Sequence, residues 1–136
     1  MHNDNTDAQN RREVPRRQRR YAFHHHGLDA YHVALEALLL GMAIARELPR
    51  GYGKLKDQLE RALQGAFLQT SEAAARTGAD RQARYRAARA EACEAAAALE
   101  AIEQLGVADA ERVDTVLGLL WRLCAMLTGL AGLRRH

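Results

Sequence analysis

The residues able to do chemistry in this chain are few and widely spaced. Cys93 and Cys124 stand far apart, without the short spacing of a zinc site, and read as two core cysteines. His24, His25 and His26 are consecutive, so they cannot all face one metal from a regular helix or strand, and no acidic or Cys ligand is near. No His stands between His32 and His136, which rules out the paired Glu-x-x-His helices of a ferritin-like di-metal centre. Glu72 sits near Thr70 and Ser71 and reads as a structural hydrogen-bond partner rather than a general acid or base. Gly51-x-Gly53 has no strand pattern before it and no lysine–serine pair after it, so it joins helices rather than cradling a phosphate. No nucleophile–base pair is suggested by spacing. Trp121 and Tyr85 could stack on a nucleobase, although packing is the competing reading of each. The expectation is a protein with no catalytic residues, no metal and no cofactor.

Arginine and lysine remain. Lys54, Lys56, Arg61, Arg81, Arg84, Arg86 and Arg89 fall in one central block, and Arg16, Arg17, Arg19 and Arg20 stand in a basic N-terminal segment with Arg11 and Arg12. Arginine meets phosphate through a planar fork and keeps its charge. Phosphate neutralisation is independent of base sequence and strongly dependent on salt. Residues 1–20 carry six basic and three acidic side chains; 21–49, one and three; 50–89, nine and four; 90–115, one and seven; 116–136, three and none. This alternation suits a polyanion-binding face or a self-complementary contact between copies, against an ordinary solvated mixture of charges.

The elements that position these groups are helical. With 48% hydrophobic residues, 27% charged residues and only two prolines among 136 residues, the chain is too apolar to be disordered throughout. Few β-branched and aromatic residues argue against a sandwich or barrel of strands. No apolar run approaches the roughly 18 residues of a membrane span, and no apolar segment precedes Tyr21 to act as a leader. Two cysteines are too few for a disulfide scaffold, so a reduced, cytoplasmic setting without a membrane is expected.

Residues 1–26 show no helical apolar period and read as a disordered basic arm. Residues 27–136 read as one domain of four helices. The first spans about 28–48 and carries two apolar stripes, Tyr31/Leu35/Leu38/Met42/Ala45 and Val33/Ala37/Leu40/Ile44/Leu48, so burial on more than one side is expected. Pro49, Gly51 and Gly53 break it. The second spans about 54–76 with Leu55, Leu59, Ala62, Ala66, Thr70 and Ala73 inward. Gly78 is a stop signal, and Asp80 is a candidate N-cap for the next helix. The third spans about 81–105 and has ten alanines between 83 and 101, which favours close helix–helix approach. Its order, arginines first and glutamates (Glu91, Glu94, Glu100, Glu103) last, opposes its own macrodipole, as though a partner selected it. The fourth spans about 109–133 with Val113, Val116, Leu120, Leu123, Leu127 and Leu130 in a heptad-like rhythm. Short loops predict an all-α, up-down-up-down four-helix bundle. The double stripe of the first helix and the alanine flank of the third suit side-by-side packing in an oligomer, against a monomer with one helix more deeply buried.

Leu48-Pro49-Arg50-Gly51-Tyr52-Gly53-Lys54-Leu55, then Gln58-Leu59-Glu60-Arg61-Ala62, then Gln69-Thr70-Ser71-Glu72-Ala73, and later Leu105-Gly106 and Met126-Leu127-Thr128-Gly129-Leu130 form an ordered series. Over about residues 28–133 this series resembles the four-helix-bundle proteins encoded in 23S ribosomal RNA intervening sequences. It is also similar to their relatives, the accessory variability determinants of diversity-generating retroelements. Gln69 stands where that family has Asn and Ala73 where it has Gly, and the arginine-rich arm is not part of the pattern. The resemblance implies a homopentameric barrel of bundles without catalytic activity. For the retroelement branch it implies a positively charged barrel that binds RNA or DNA and a reverse transcriptase. For the ribosomal-insert branch it implies no settled function, and a protein–protein scaffold is the reading set beside it.

Overall fold

In the computed structural model, residues 21–133 are described, and the arginines of residues 1–20 lie outside them. Four helices follow in order: α1 (Asp29–Arg46), α2 (Gly53–Ala74), α3 (Gly78–Leu105) and α4 (Ala110–Leu130), with a 3₁₀ turn at His24–Gly27 before them. No strand occurs among the described residues. Each helix packs on the next and α1 closes against α4, which makes a four-helix bundle. The helices alternate in direction. Arg84 of α3 reaches Gln69 and Glu72 of α2, whereas Glu91, further along α3, lies against Gly65, further back on α2.

The core divides the work between small and large side chains. α1 buries Ala30, Val33, Ala34, Ala37, Gly41, Ile44 and Ala45, and α3 buries Ala88, Ala92, Ala95 and Ala98 beside Tyr85, Leu99 and Ile102. α4 supplies the bulk with Val113, Val116, Leu119, Leu120, Leu123 and Leu127, and α2 adds Leu59 and Leu63. Alanine buries little area but brings helix axes close, so leucines opposite it fill the space at native density. No buried side-chain nitrogen or oxygen among the described residues lacks a partner. Buried Thr70, for instance, donates to the Ala66 carbonyl at 2.7 Å.

Several expectations change. α1 buries one side; Tyr31, Leu35, Leu38 and Met42 of its other stripe are half-buried, and Leu39 is exposed. α3 begins at Gly78, with Thr77 as its N-cap, so Asp80 falls inside the first turn, where it meets Arg76 and Arg84. The end of the expected arm also has structure. His25 packs on Tyr31, which packs on Phe67 of α2, and His32 Nε2 donates to the His26 carbonyl at 2.8 Å. α4, 21 residues long with a mean hydropathy of 1.5 over its most apolar 18, is long and apolar enough to cross a membrane by length and composition, where no such stretch was expected. Arg122 interrupts it, and its leucine face packs into the bundle.

Gly41 and Gly118 separate close approach from mere composition. A Cβ on Gly41 would lie 2.4 Å from Leu63 Cδ1, whereas one on Gly118 meets nothing within 4 Å. Leu63 is fully buried, so its side chain would have to shift within a packed core. Overpacking costs about 1–3 kcal/mol, which outweighs the ~1 kcal/mol that Ala gains over Gly within a helix. Gly41→Ala therefore lowers unfolding stability by about 1 kcal/mol, and Gly118→Ala raises it by about 0.5–1 kcal/mol. Denaturant melts of both variants check the opposite signs.

Candidate nucleic-acid interface

The seven basic residues of the central block do not form one face. Alternating helix direction puts the end of α2 beside the start of α3, so Arg81, Arg84, Arg86 and Arg89 gather with Arg76 at one end of the bundle. Lys54 and Lys56 begin α2, about 27 Å along the helix from Glu72 at about 1.5 Å per residue. There they lie at the level of the glutamate-bearing half of α3. They also stand about 200° apart around α2. Arg61 lies midway, and its charge acts on Glu91 across the α2–α3 seam.

The arginines at the basic end are held in place. Arg84 lies 3.4 Å from Gln69 Oε1, 3.5 Å from Glu72 Oε2 and 3.8 Å from Asp80 Oδ1. Arg76 meets Asp80 at 3.3 Å, and Arg81 Nε donates to the Arg76 carbonyl at 2.6 Å. Exposed pairs of this kind contribute little stability, but they orient the side chains. Glu72 is thus an ion-pair partner of Arg84, not a hydrogen-bond partner of Thr70 or Ser71, whose hydroxyls bond backbone carbonyls. Arg89 turns to the other side of α3 and donates from Nε to Thr128 Oγ1 at 2.9 Å. Arg86 is exposed and forms no ion pair with another described residue.

This arrangement also explains the reversed charge order of α3. Arginines at a helix N-terminus oppose its macrodipole. Here they sit beside the carbonyl-rich C-terminus of α2, where Arg81 bonds the Arg76 carbonyl. The compensation is internal to the bundle, and no partner is needed to account for it.

The described bundle is not basic as a whole. Residues 21–133 hold 12 Lys and Arg against 14 Asp and Glu. Excess positive charge resides in residues 1–20 and in Arg134 and Arg135, both outside the described residues. The connected ends, however, lie together. The His24–Gly27 turn packs on α1 and α2 near Phe67, and Gly132 lies against Gln82 at the start of α3. Both described termini therefore emerge at the arginine end. At the opposite end lie Glu100, Glu103, Asp109, Glu111 and Asp114, with Arg112 paired to Glu47.

The aromatic candidates separate. Tyr85 is 4% exposed; burial pushes its hydroxyl pKa up, against the Arg81 charge, and it has no face free for a base. Trp121 is 76% exposed, the reverse of the packing read from its apolar helix. It lies on the outer side of α4, next to exposed Arg122, a cation that sequence reading left unassigned because it stands alone among leucines.

The cysteines are not both core residues. Cys93 is exposed and Cys124 half-buried, with their sulfurs 3.7 Å apart across α3 and α4. No group of three His, Cys, Asp or Glu among the described residues is placed to hold a metal.

No family model matches the chain, and no curated protein matches it.

Burial, and then the charge and hydrogen bond of Cys93, push the Cys124 thiol pKa up to about 12, against a weaker opposing effect of Arg89. The thiol form is therefore favoured in the folded state. Its contribution to stability is complete below the ordinary value of 9.0 and is lost as pH rises from there towards about 12. Relative to Cys124→Ala, the parent protein loses stability more steeply over that range, as urea melts at successive pH values would show.

Proposed function

We propose that the protein is a non-enzymatic, oligomeric adaptor that binds RNA or DNA through its arginine end. One observation carries this reading: the fold brings Arg76, Arg81, Arg84, Arg86 and Arg89 to the end where the chain connects to the arginine-rich residues 1–20 and to Arg134 and Arg135. Carboxylates brace Arg84 and Arg76 but leave guanidinium donors over, since each guanidinium carries five. Arg81 and Arg86 face solvent. Such a cluster neutralises phosphates without reading bases. Lys54, Lys56 and Arg61 lie outside it and contribute less than the sequence suggested; Arg89, bonded to Thr128, borders it. Arg16, Arg17, Arg19 and Arg20, outside the described residues, belong to the sequence that joins this end and are proposed to add phosphate contacts.

The oligomer belongs to the same proposal. The half-buried α1 stripe and the exposed Leu39 and Trp121 are apolar surface that further copies would cover, and a homopentameric barrel is the form that the family resemblance implies. A ring would present several arginine ends to one polyanion and raise avidity. A reverse transcriptase is the protein partner in the retroelement form of this reading. The same apolar surface favours a second reading, a ribosomal-insert-type protein–protein scaffold whose opposite charges, Arg-rich at one end and Glu-rich at the other, serve only assembly.

Fluorescence anisotropy with a labelled single-stranded RNA tests the choice. Charge reversal at Arg81 and Arg86 weakens binding at least tenfold and flattens the salt dependence, whereas reversal at Lys54 and Lys56 changes affinity less than threefold, effects on the scale of a few phosphate contacts. Absence of RNA and DNA binding at low salt, with oligomer mass responding to salt alone, would select the scaffold.

A further inference from the structure

The α3–α4 seam holds a feature that polyanion binding does not use. Cys93 on α3 and Cys124 on α4 present their sulfurs to each other at 3.7 Å. Four residues back along α3, Arg89 donates to Thr128 Oγ1, four residues forward along α4. The two contacts are successive rungs of one antiparallel ladder, a single helical turn apart. The Arg89 rung is well anchored: buried Thr128 accepts from Arg89 at 2.9 Å and donates its own proton to the Cys124 carbonyl at 2.7 Å. That rung fixes the helix register at the cysteines. It also ties Thr128 directly to the backbone of Cys124.

We propose that Cys93 and Cys124 are a paired redox site, in which peroxide closes an intramolecular disulfide across α3 and α4. A formed disulfide has its sulfurs about 2.05 Å apart, so each needs to move by under about 1 Å from the present 3.7 Å. In this proposal rotation of the two side chains supplies that movement, with the helix register kept by the Arg89–Thr128 contact. The sulfurs differ in access, which sets the order of events. Cys93 is exposed and meets the oxidant first. Its thiolate attacks one peroxide oxygen, the O–O bond breaks, and the departing hydroxide takes a proton to become water. Cys93 is then a sulfenic acid. The half-buried Cys124 sulfur attacks the Cys93 sulfur, the S–O bond breaks, and the leaving hydroxide takes the Cys124 proton. Two thiols and one hydrogen peroxide thus give one disulfide and two waters. Burial favours the neutral Cys124 thiol, so its attack needs its proton to pass to the departing hydroxide as the S–S bond forms. This inference is independent of the RNA-binding reading and survives if that reading fails.

The closed bond would encircle residues 93–124 and so constrain the unfolded chain. The test uses the full, reduced chain treated with equimolar hydrogen peroxide. The expected product has the single-chain mass less two hydrogens on a non-reducing intact-mass spectrum, with titratable thiols falling from two to none. Its share of the product is independent of protein concentration, and dithiothreitol reverses it. The oxidised form melts on the order of 10 °C higher than the reduced form. Cys124→Ser stops at a Cys93 sulfenic acid trapped by dimedone and shows no such rise. Chain-to-chain disulfides as the main product would overturn the proposal. So would Cys93 oxidised to the sulfinic acid while Cys124 remains a free thiol in the parent protein, or a closed form that melts no higher than the reduced one.

Discussion

Close approach of the helices, secured by alanines on α1 and α3 and by Gly41 and Gly65, governs every other contact in the bundle. Gly41 leaves room for Leu63, and Gly65 leaves room for Glu91. Ala88, Ala92, Ala95 and Ala98 are buried on α3 in the core shared with the larger side chains of α2 and α4. Small residues give up hydrophobic area, about 25 cal/mol for each Å² not buried, and larger partners on α2 and α4 recover it. Facing side chains then meet at short range, which is why Cys93 reaches Cys124 and Arg89 reaches Thr128.

Topology turns a linear charge pattern into an axial one. Along the sequence, positive charge peaks over residues 50–89 and negative charge over 90–115. Folding up and down halves the first block: Lys54 and Lys56 go to one end, while Arg76 through Arg89 go to the other. The result is a bundle with an arginine end and a carboxylate end. Glu72, Asp80 and the C-terminus of α2 offset the charge of the arginine end, so the cluster is compatible with a stable fold before any ligand arrives. The proposed grip on phosphates and the proposed stacking of copies draw on different surfaces, the arginine end and the half-buried flank of α1 with exposed Trp121.

The four helices were legible because their signals are strong and local. Apolar residues at three- and four-residue steps, Pro49, and Gly106 in a left-handed C-cap marked elements and breaks to within a few residues. Thr77 displaced Asp80 as the N-cap because Gly78, at φ +58°, already starts α3. The site was less legible, because facing depends on helix rotation and register. Lys54 and Lys56 look equivalent in sequence, yet two residues carry the chain more than half a turn round the helix. Trp121 and Cys93 looked internal because of their own residue types, but Trp121 is exposed on α4 and Cys93 at the edge of the α3–α4 seam. The ion pairs of Arg84 to Glu72, and the meeting of Cys93 with Cys124, join residues on different helices and leave no local trace.

Mapping a bound polyanion residue by residue tests the central claim most directly. Backbone amide shifts of the isotopically labelled protein, titrated with a short single-stranded RNA, report which end is occupied. Perturbations are expected over residues 76–89 and at Gly132 and Leu133, with residues 94–114 and the start of α2 at Lys54–Lys56 unchanged. Shifts centred on Lys54 and Lys56, or spread evenly over both ends, would contradict it.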